Sequence, residues 1–90
     1  MQFNRYITIE TGKDDMTKIR IETSDITMAA SLRVYGHPLE EILKEDKRGI
    51  FVFVDVDEEI LTKYNLGQLL VEPNAFHSAI KHLTMAVKRV

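Results

Sequence analysis

The chain predicts an α+β fold in the order ββαββαα, one small domain over residues 1–90 in which two hairpins form an antiparallel sheet packed with helices. Three observations carry this reading. A capped, Ala-rich helical stretch runs from Thr23-Ser24-Asp25 to Gly36-His37-Pro38. The turn Asp46-Lys47-Arg48-Gly49 leads into the apolar run Ile50–Val54. Near the start, two β-branched runs flank a polar, turn-rich cluster. Each local signal agrees with its neighbours, which is what marks a foldable arrangement.

The first run, Tyr6-Ile7-Thr8-Ile9, and the alternating Ile19-Arg20-Ile21-Glu22 are separated by Thr11-Gly12-Lys13-Asp14-Asp15, so residues 1–22 read as an N-terminal hairpin. Ile19 and Ile21 share a face while Arg20 and Glu22 alternate away from it, which predicts one solvated sheet face. The remainder, 23–90, reads as an αββαα core. Its first helix starts at Thr23 or Ser24, whose hydroxyl can accept an orphan backbone N–H, with Asp25 adding charge favourable to the dipole. Ile26, Ala29, Ala30, Leu32, Val34 and Tyr35 leave this helix apolar over much of its circumference. Gly36 suits a left-handed residue after the helix end, and Pro38 blocks continuation.

The second hairpin pairs Leu39–Glu45 with Ile50–Val56. Its return strand is apolar on both faces, with Phe51 and Phe53 on one and Ile50, Val52 and Val54 on the other. Such a strand is central and covered on both sides, by helices or by a partner. Asp55-Val56-Asp57-Glu58-Glu59 then opens a second helix, with Ile60, Leu61 and Tyr64 as its apolar stripe and Gly67 as its stop. Gln68–Glu72 is an extended link. Pro73 suits the first turn of a last helix, in which Phe76, Ala79, Ile80, Leu83 and Val87 follow the spacing of one buried face.

Ninety residues suffice for one core, near the lower limit for a domain without staples, and this raises the expectation of a homodimer or a tight protein partner. The absence of Cys excludes a disulfide framework, a thiolate nucleophile and a thiolate metal site. With 12 basic and 14 acidic residues the net charge is −2, no strong case for nucleic acid or an anionic membrane. The start of the chain lacks the apolar run of a signal peptide, and Ile50–Val54 is too short to span a bilayer, so the expected location is cytoplasmic.

Chemistry is sparse. His77 and His82 are five apart on a helix, about 140° from each other, and do not form a zinc pair. The acids at Asp55, Asp57, Glu58 and Glu59, with Glu40-Glu41 on the neighbouring strand, are the one arrangement that suggests a weak Mg²⁺ site. They read first as a helix start that complements the dipole. Ser24, Ser31 and Ser78 lie in no nucleophile elbow. The four glycines Gly12, Gly36, Gly49 and Gly67 all read as turn or cap residues. We therefore expect no enzyme activity, no cofactor, no catalytic residue and no metal site.

The pattern Thr23-Ser24-Asp25, an Ala-rich helix ending at Gly36, a hairpin ending Phe51-Val52-Phe53, an acidic helix start, Tyr64-Asn65 with Gly67, and Val71 with Pro73, Phe76 and Leu83 resembles an uncharacterised domain family. That family, of unknown function, occurs in bacteria, archaea and their phages. The resemblance covers residues 23–90 and carries over no activity, cofactor or catalytic residue; it implies that a viral or mobile-element accessory protein is plausible.

Two functional readings follow. The first is a small non-enzymatic protein-binding module, a regulator or inhibitor, whose interface uses Ile50, Val52 and Val54. The alternative is a nucleic-acid-binding accessory factor using the sheet face and the basic hairpin tip at Lys44, Lys47 and Arg48. A membrane partner is not expected.

Overall fold

A computed structural model of the chain describes residues 4–9, 18–45 and 48–90, with side chains described for Asn4, 19–45 and 48–90. The elements are β1 (Asn4–Ile9), β2 (Lys18–Thr23), α1 (Ile26–Val34), β3 (Glu41–Glu45), β4 (Arg48–Asp57), α2 (Glu58–Asn65) and α3 (Pro73–Lys88). The expected turns at Thr11–Asp15 and at Asp46-Lys47 lie outside the described residues. The molecule is a small α+β structure in which an antiparallel sheet carries its helices on one face.

The sheet order is β1-β2-β4-β3, every pair antiparallel. β2 and β4 are therefore central, and their pairing joins the two halves of the sheet. Ile21 lies opposite Phe53 and Thr23 opposite Phe51. These residues face the helices, as do Gly49 and Ile42 by register.

One irregularity sets the composition of the core. Ile19 and Ile21, two residues apart on β2, oppose Val56 and Phe53, three apart on β4. The extra residue is a β-bulge, with Asp55 at φ 56°, a conformation that Asp tolerates better than most side chains. Strict alternation would place Val56 on the same face as Val52. The bulge returns it to the helix face, where it is fully buried with Phe51 and Phe53.

The middle of helix α1 is buried all round, with Thr27 and Arg33 exposed toward its ends. Met28, Ala29, Ala30, Ser31 and Leu32 are consecutive and buried, as expected of a helix lying between other elements. Its small residues let it pack beside α3, whose Leu83 is buried and whose Phe76, Ala79, Ile80 and Val87 pack around the core. The predicted face of the last helix is the one observed.

Both predicted glycine stops are real, and both helices end in the same hydrogen-bonded motif. In α1, Gly36 N–H donates to Arg33 O and His37 N–H to Leu32 O, each at 3.0 Å. In α2, Gly67 N–H donates to Tyr64 O at 3.1 Å and Gln68 N–H to Lys63 O at 2.8 Å. Gly36 and Gly67 have φ of 91° and 72°, the left-handed geometry this motif requires.

Gly49 differs from the expectation. It is a strand residue of β4, not a turn residue, and an added Cβ would stand 2.9 Å from both methyls of Val87. Its smallness lets the end of α3 close onto the sheet.

Candidate functional site

The start of α1 is organised by polar side chains. The N-cap is Asp25 rather than Thr23 or Ser24, and its carboxylate accepts from Thr27 N–H at 3.0 Å. Thr23 is wholly buried; its hydroxyl accepts from Asp25 N–H at 3.0 Å and donates to the Asn4 side-chain oxygen. Tyr64 OH, from α2, donates to the other carboxylate oxygen of Asp25 at 2.6 Å. Thr23, Asp25 and Tyr64 thus form one network that ties α2 to the start of α1. Among the described residues no buried side-chain N or O lacks a partner.

On the face of the sheet away from the helices, Glu22, Val52 and Glu41 lie side by side across β2, β4 and β3. Arg20 Nε contacts Glu22 at 3.3 Å and Arg20 Nη2 contacts Glu41 at 3.6 Å. Strands stand about 4.8 Å apart, so the two acids that Arg20 bridges are separated by the width of β4. Val52 and Ile50 are 0% and 2% exposed and Val54 is half-buried. The row Ile50, Val52, Val54 therefore presents little free surface within a single chain.

The acids do not gather. Asp55 is exposed in the bulge, and Asp57 is the N-cap of α2 with Glu58 and Glu59 in its first turn. Glu41 pairs opposite Val52, three residues along β4 from Asp55. Among the described residues no group of three or more His, Cys, Asp or Glu could hold a metal ion. His77 and His82 are exposed, and the Ser31 hydroxyl donates to Thr27 O at 2.8 Å.

The cations do gather. Lys44 of β3 lies opposite Gly49, and its Nζ donates to Val90 O at 3.2 Å. That contact brings the end of the β3–β4 pair beside the end of α3. Lys44 and Arg48 thus share one end of the molecule with Lys88 and Arg89, all four exposed. Among the described residues Arg48, Lys88 and Arg89 enter no ion pair, although Glu45 faces Arg48 across the strands. Lys47 lies outside the described residues. In sequence, the hairpin-tip cations and those of the last helix are two separate groups; folding merges them.

Beside these cations is an open cavity of about 290 Å³, lined by Ser24, Ile26, Arg48, Gly49, Phe51, Thr84, Val87 and Lys88. Its surface is mostly apolar. It lies between the start of α1 and the last turns of α3, with β4 as its floor. Sequence reasoning missed it, because its lining comes from three elements and no local pattern joins them.

These features define a small α+β domain with a basic, apolar-floored end. Residues 18–87 match the model of the family described as Domain of unknown function (DUF5659), and the chain belongs to that family. The match begins at the first residue of β2, earlier than the resemblance starting at Thr23 implied. That is physically apt, because β2 is the central strand that joins the halves of the sheet. No curated protein and no solved structure matches the chain. Among the described residues no helix is long and apolar enough to cross a membrane.

Proposed function

We propose that this protein is a small non-enzymatic protein-binding module, working through its basic end. The observation that carries the reading is the meeting of Lys44, Arg48, Lys88 and Arg89 beside an apolar-floored cavity. A protein surface offers both an apolar side chain and charge, whereas a phosphate backbone offers chiefly charge. The polar network at Thr23, Asp25 and Tyr64 ties α2 to the start of α1, a role in holding the fold together. In this reading the whole chain is one ββαββαα domain of two hairpins. It acts in the cytoplasm, as a monomer or homodimer, as a regulator or inhibitor in a virus, a mobile element or its host.

The merging of the cations also favours a second reading, an accessory factor that holds nucleic acid at the same end. Arg20 argues against the sheet face as the contact, because Glu22 and Glu41 occupy it. The two readings separate in a titration with labelled single- and double-stranded oligonucleotides at about 150 mM salt, where exposed charges are well screened. Submicromolar binding, lost when Lys44, Lys47 and Arg48 are changed to Ala, establishes the second reading. Absence of such binding, with a partner protein that copurifies in defined stoichiometry and is released by the same changes, supports the first.

A further inference from the structure

A second open cavity, of about 350 Å³, lies between the end of α1 and the first half of α3, lined by Arg33, Val34, Ala75, Ser78, Ala79 and His82. Helical spacing decides which side chains face it. Ala75, Ser78, Ala79 and His82 stand at i, i+3, i+4 and i+7 and so share one face of α3. Arg33 follows Ile26 by two turns on the same face of α1, and Ile26 meets the last turns of α3 in the first cavity. The two helices therefore run antiparallel, and Arg33 lies on the side of α1 that faces α3.

The polar side chains here are donors without an internal acceptor. Those of Arg33, Ser78 and His82 enter no hydrogen bond or ion pair among the described residues. No carboxylate lines the cavity. Glu72, at the head of α3, holds its carboxylate on the N–H of Ala75 at 2.5 Å. The carbonyls of Ser31, Leu32 and Arg33 that end α1 are taken by the N–H groups of Tyr35, His37 and Gly36. Neither helix end supplies the three donors with a partner.

Guanidinium, imidazole and hydroxyl, brought from two helices, suit an acceptor with several oxygens. A phosphate monoester presents three terminal oxygens, whereas a carboxylate or a nucleic-acid phosphodiester presents two. Val34, Ala75 and Ala79 add an apolar wall, and the volume falls within the roughly 300–1,000 Å³ of small-molecule sites. Ser78 precedes Lys88 by about 15 Å of helix, which separates this cavity from the basic end.

We propose that this cavity binds a small phosphate monoester. Arg33, Ser78 and His82 hold the phosphoryl oxygens, and Val34, Ala75 and Ala79 contact the apolar part of the group that carries them. The assignment is independent of the protein-binding reading.

The test titrates the full-length, isotope-labelled protein with phenyl phosphate, inorganic phosphate and phenylacetate at constant ionic strength, followed by amide shifts. Phenyl phosphate should saturate with a Kd of about 1 mM or tighter, the worth of two charged hydrogen bonds, and shift residues 33–34 and 75–82. Inorganic phosphate lacks the ring and phenylacetate the third oxygen, so each should bind about threefold or more weakly. Arg33→Ala and His82→Ala should each weaken phenyl phosphate about tenfold. Lys81→Ala removes a charge from the same turn without lining the cavity and should change affinity less than about twofold. All three positions are exposed, so the variants should fold, and circular dichroism checks this. Equal losses in all three variants reduce the binding to general charge attraction and overturn the site. Shifts centred on other residues, or no saturation by about 10 mM, overturn it too. Phenylacetate binding as tightly as phenyl phosphate overturns the phosphoryl assignment, and inorganic phosphate doing so overturns the role of the apolar wall.

Discussion

Gly49 offers the sharpest test of the architecture, because sequence and structure give it different roles. As a turn glycine it would be needed for its backbone freedom. In the structure it lies in β4 outside the left-handed region, so Ala fits its backbone without strain. What Ala does not fit is the space, since its Cβ would stand 2.9 Å from both γ-methyls of Val87. Val is stiff about χ1 and cannot swing both methyls away. Replacing a strand glycine should itself gain about 0.5–1 kcal/mol of backbone entropy. Overpacking typically costs about 1–3 kcal/mol. The clash should win, and Gly49→Ala should lose about 0.5–2 kcal/mol in urea unfolding followed by circular dichroism. The companion is Val87→Ala, which alone should lose about 1 kcal/mol for a half-buried side chain. The double variant should recover, because the new methyl enters vacated space, giving a favourable coupling of about 1–2 kcal/mol. If Gly49→Ala is as stable as the wild type, or if the two changes simply add, the closure of α3 onto β4 is wrong. The lining of the cavity falls with it.

Four further outcomes are expected. Gly36→Val should lose about 1 kcal/mol or more, purely from its left-handed backbone, since nothing lies within 4 Å of the added Cβ; thermal unfolding reads the loss. Asp55→Val should lose about 1–2 kcal/mol, because a β-branched residue resists the bulge conformation, whereas Asp55→Gly should be at least as stable as the wild type; parallel urea titrations compare them. Tyr64→Phe should lose about 1.5–3 kcal/mol by removing a hydrogen bond to the buried carboxylate of Asp25, and faster amide exchange at Thr27 should localise the effect. Phe53→Ala should lose about 3–5 kcal/mol and Phe76→Ala less, since Phe53 is wholly buried and Phe76 only partly; chemical denaturation ranks the two.

What the sequence by itself determined is local. Gly36 and Gly67 end helices, Pro73 starts one, and the spacing from Phe76 to Val87 marks a buried face, because each effect acts within about two turns of chain. The apolar run at Ile50–Val54 likewise announced a covered strand. Tertiary structure decided everything that needs a distant partner. The bulge at Asp55 exists only relative to β2, and it alone puts Val56 in the core. Asp25 becomes the cap of α1 within a network that includes Tyr64, 39 residues away, while Thr23 turns to Asn4. Gly49 is small on account of Val87, and Arg20 reaches both Glu22 and Glu41 because the two acids flank Val52 across three strands. The site belongs to this second kind. Lys44 and Arg48 meet Lys88 and Arg89 only because β3 ends and β4 begins beside the end of α3, and one-dimensional spacing carries no record of which element ends become neighbours.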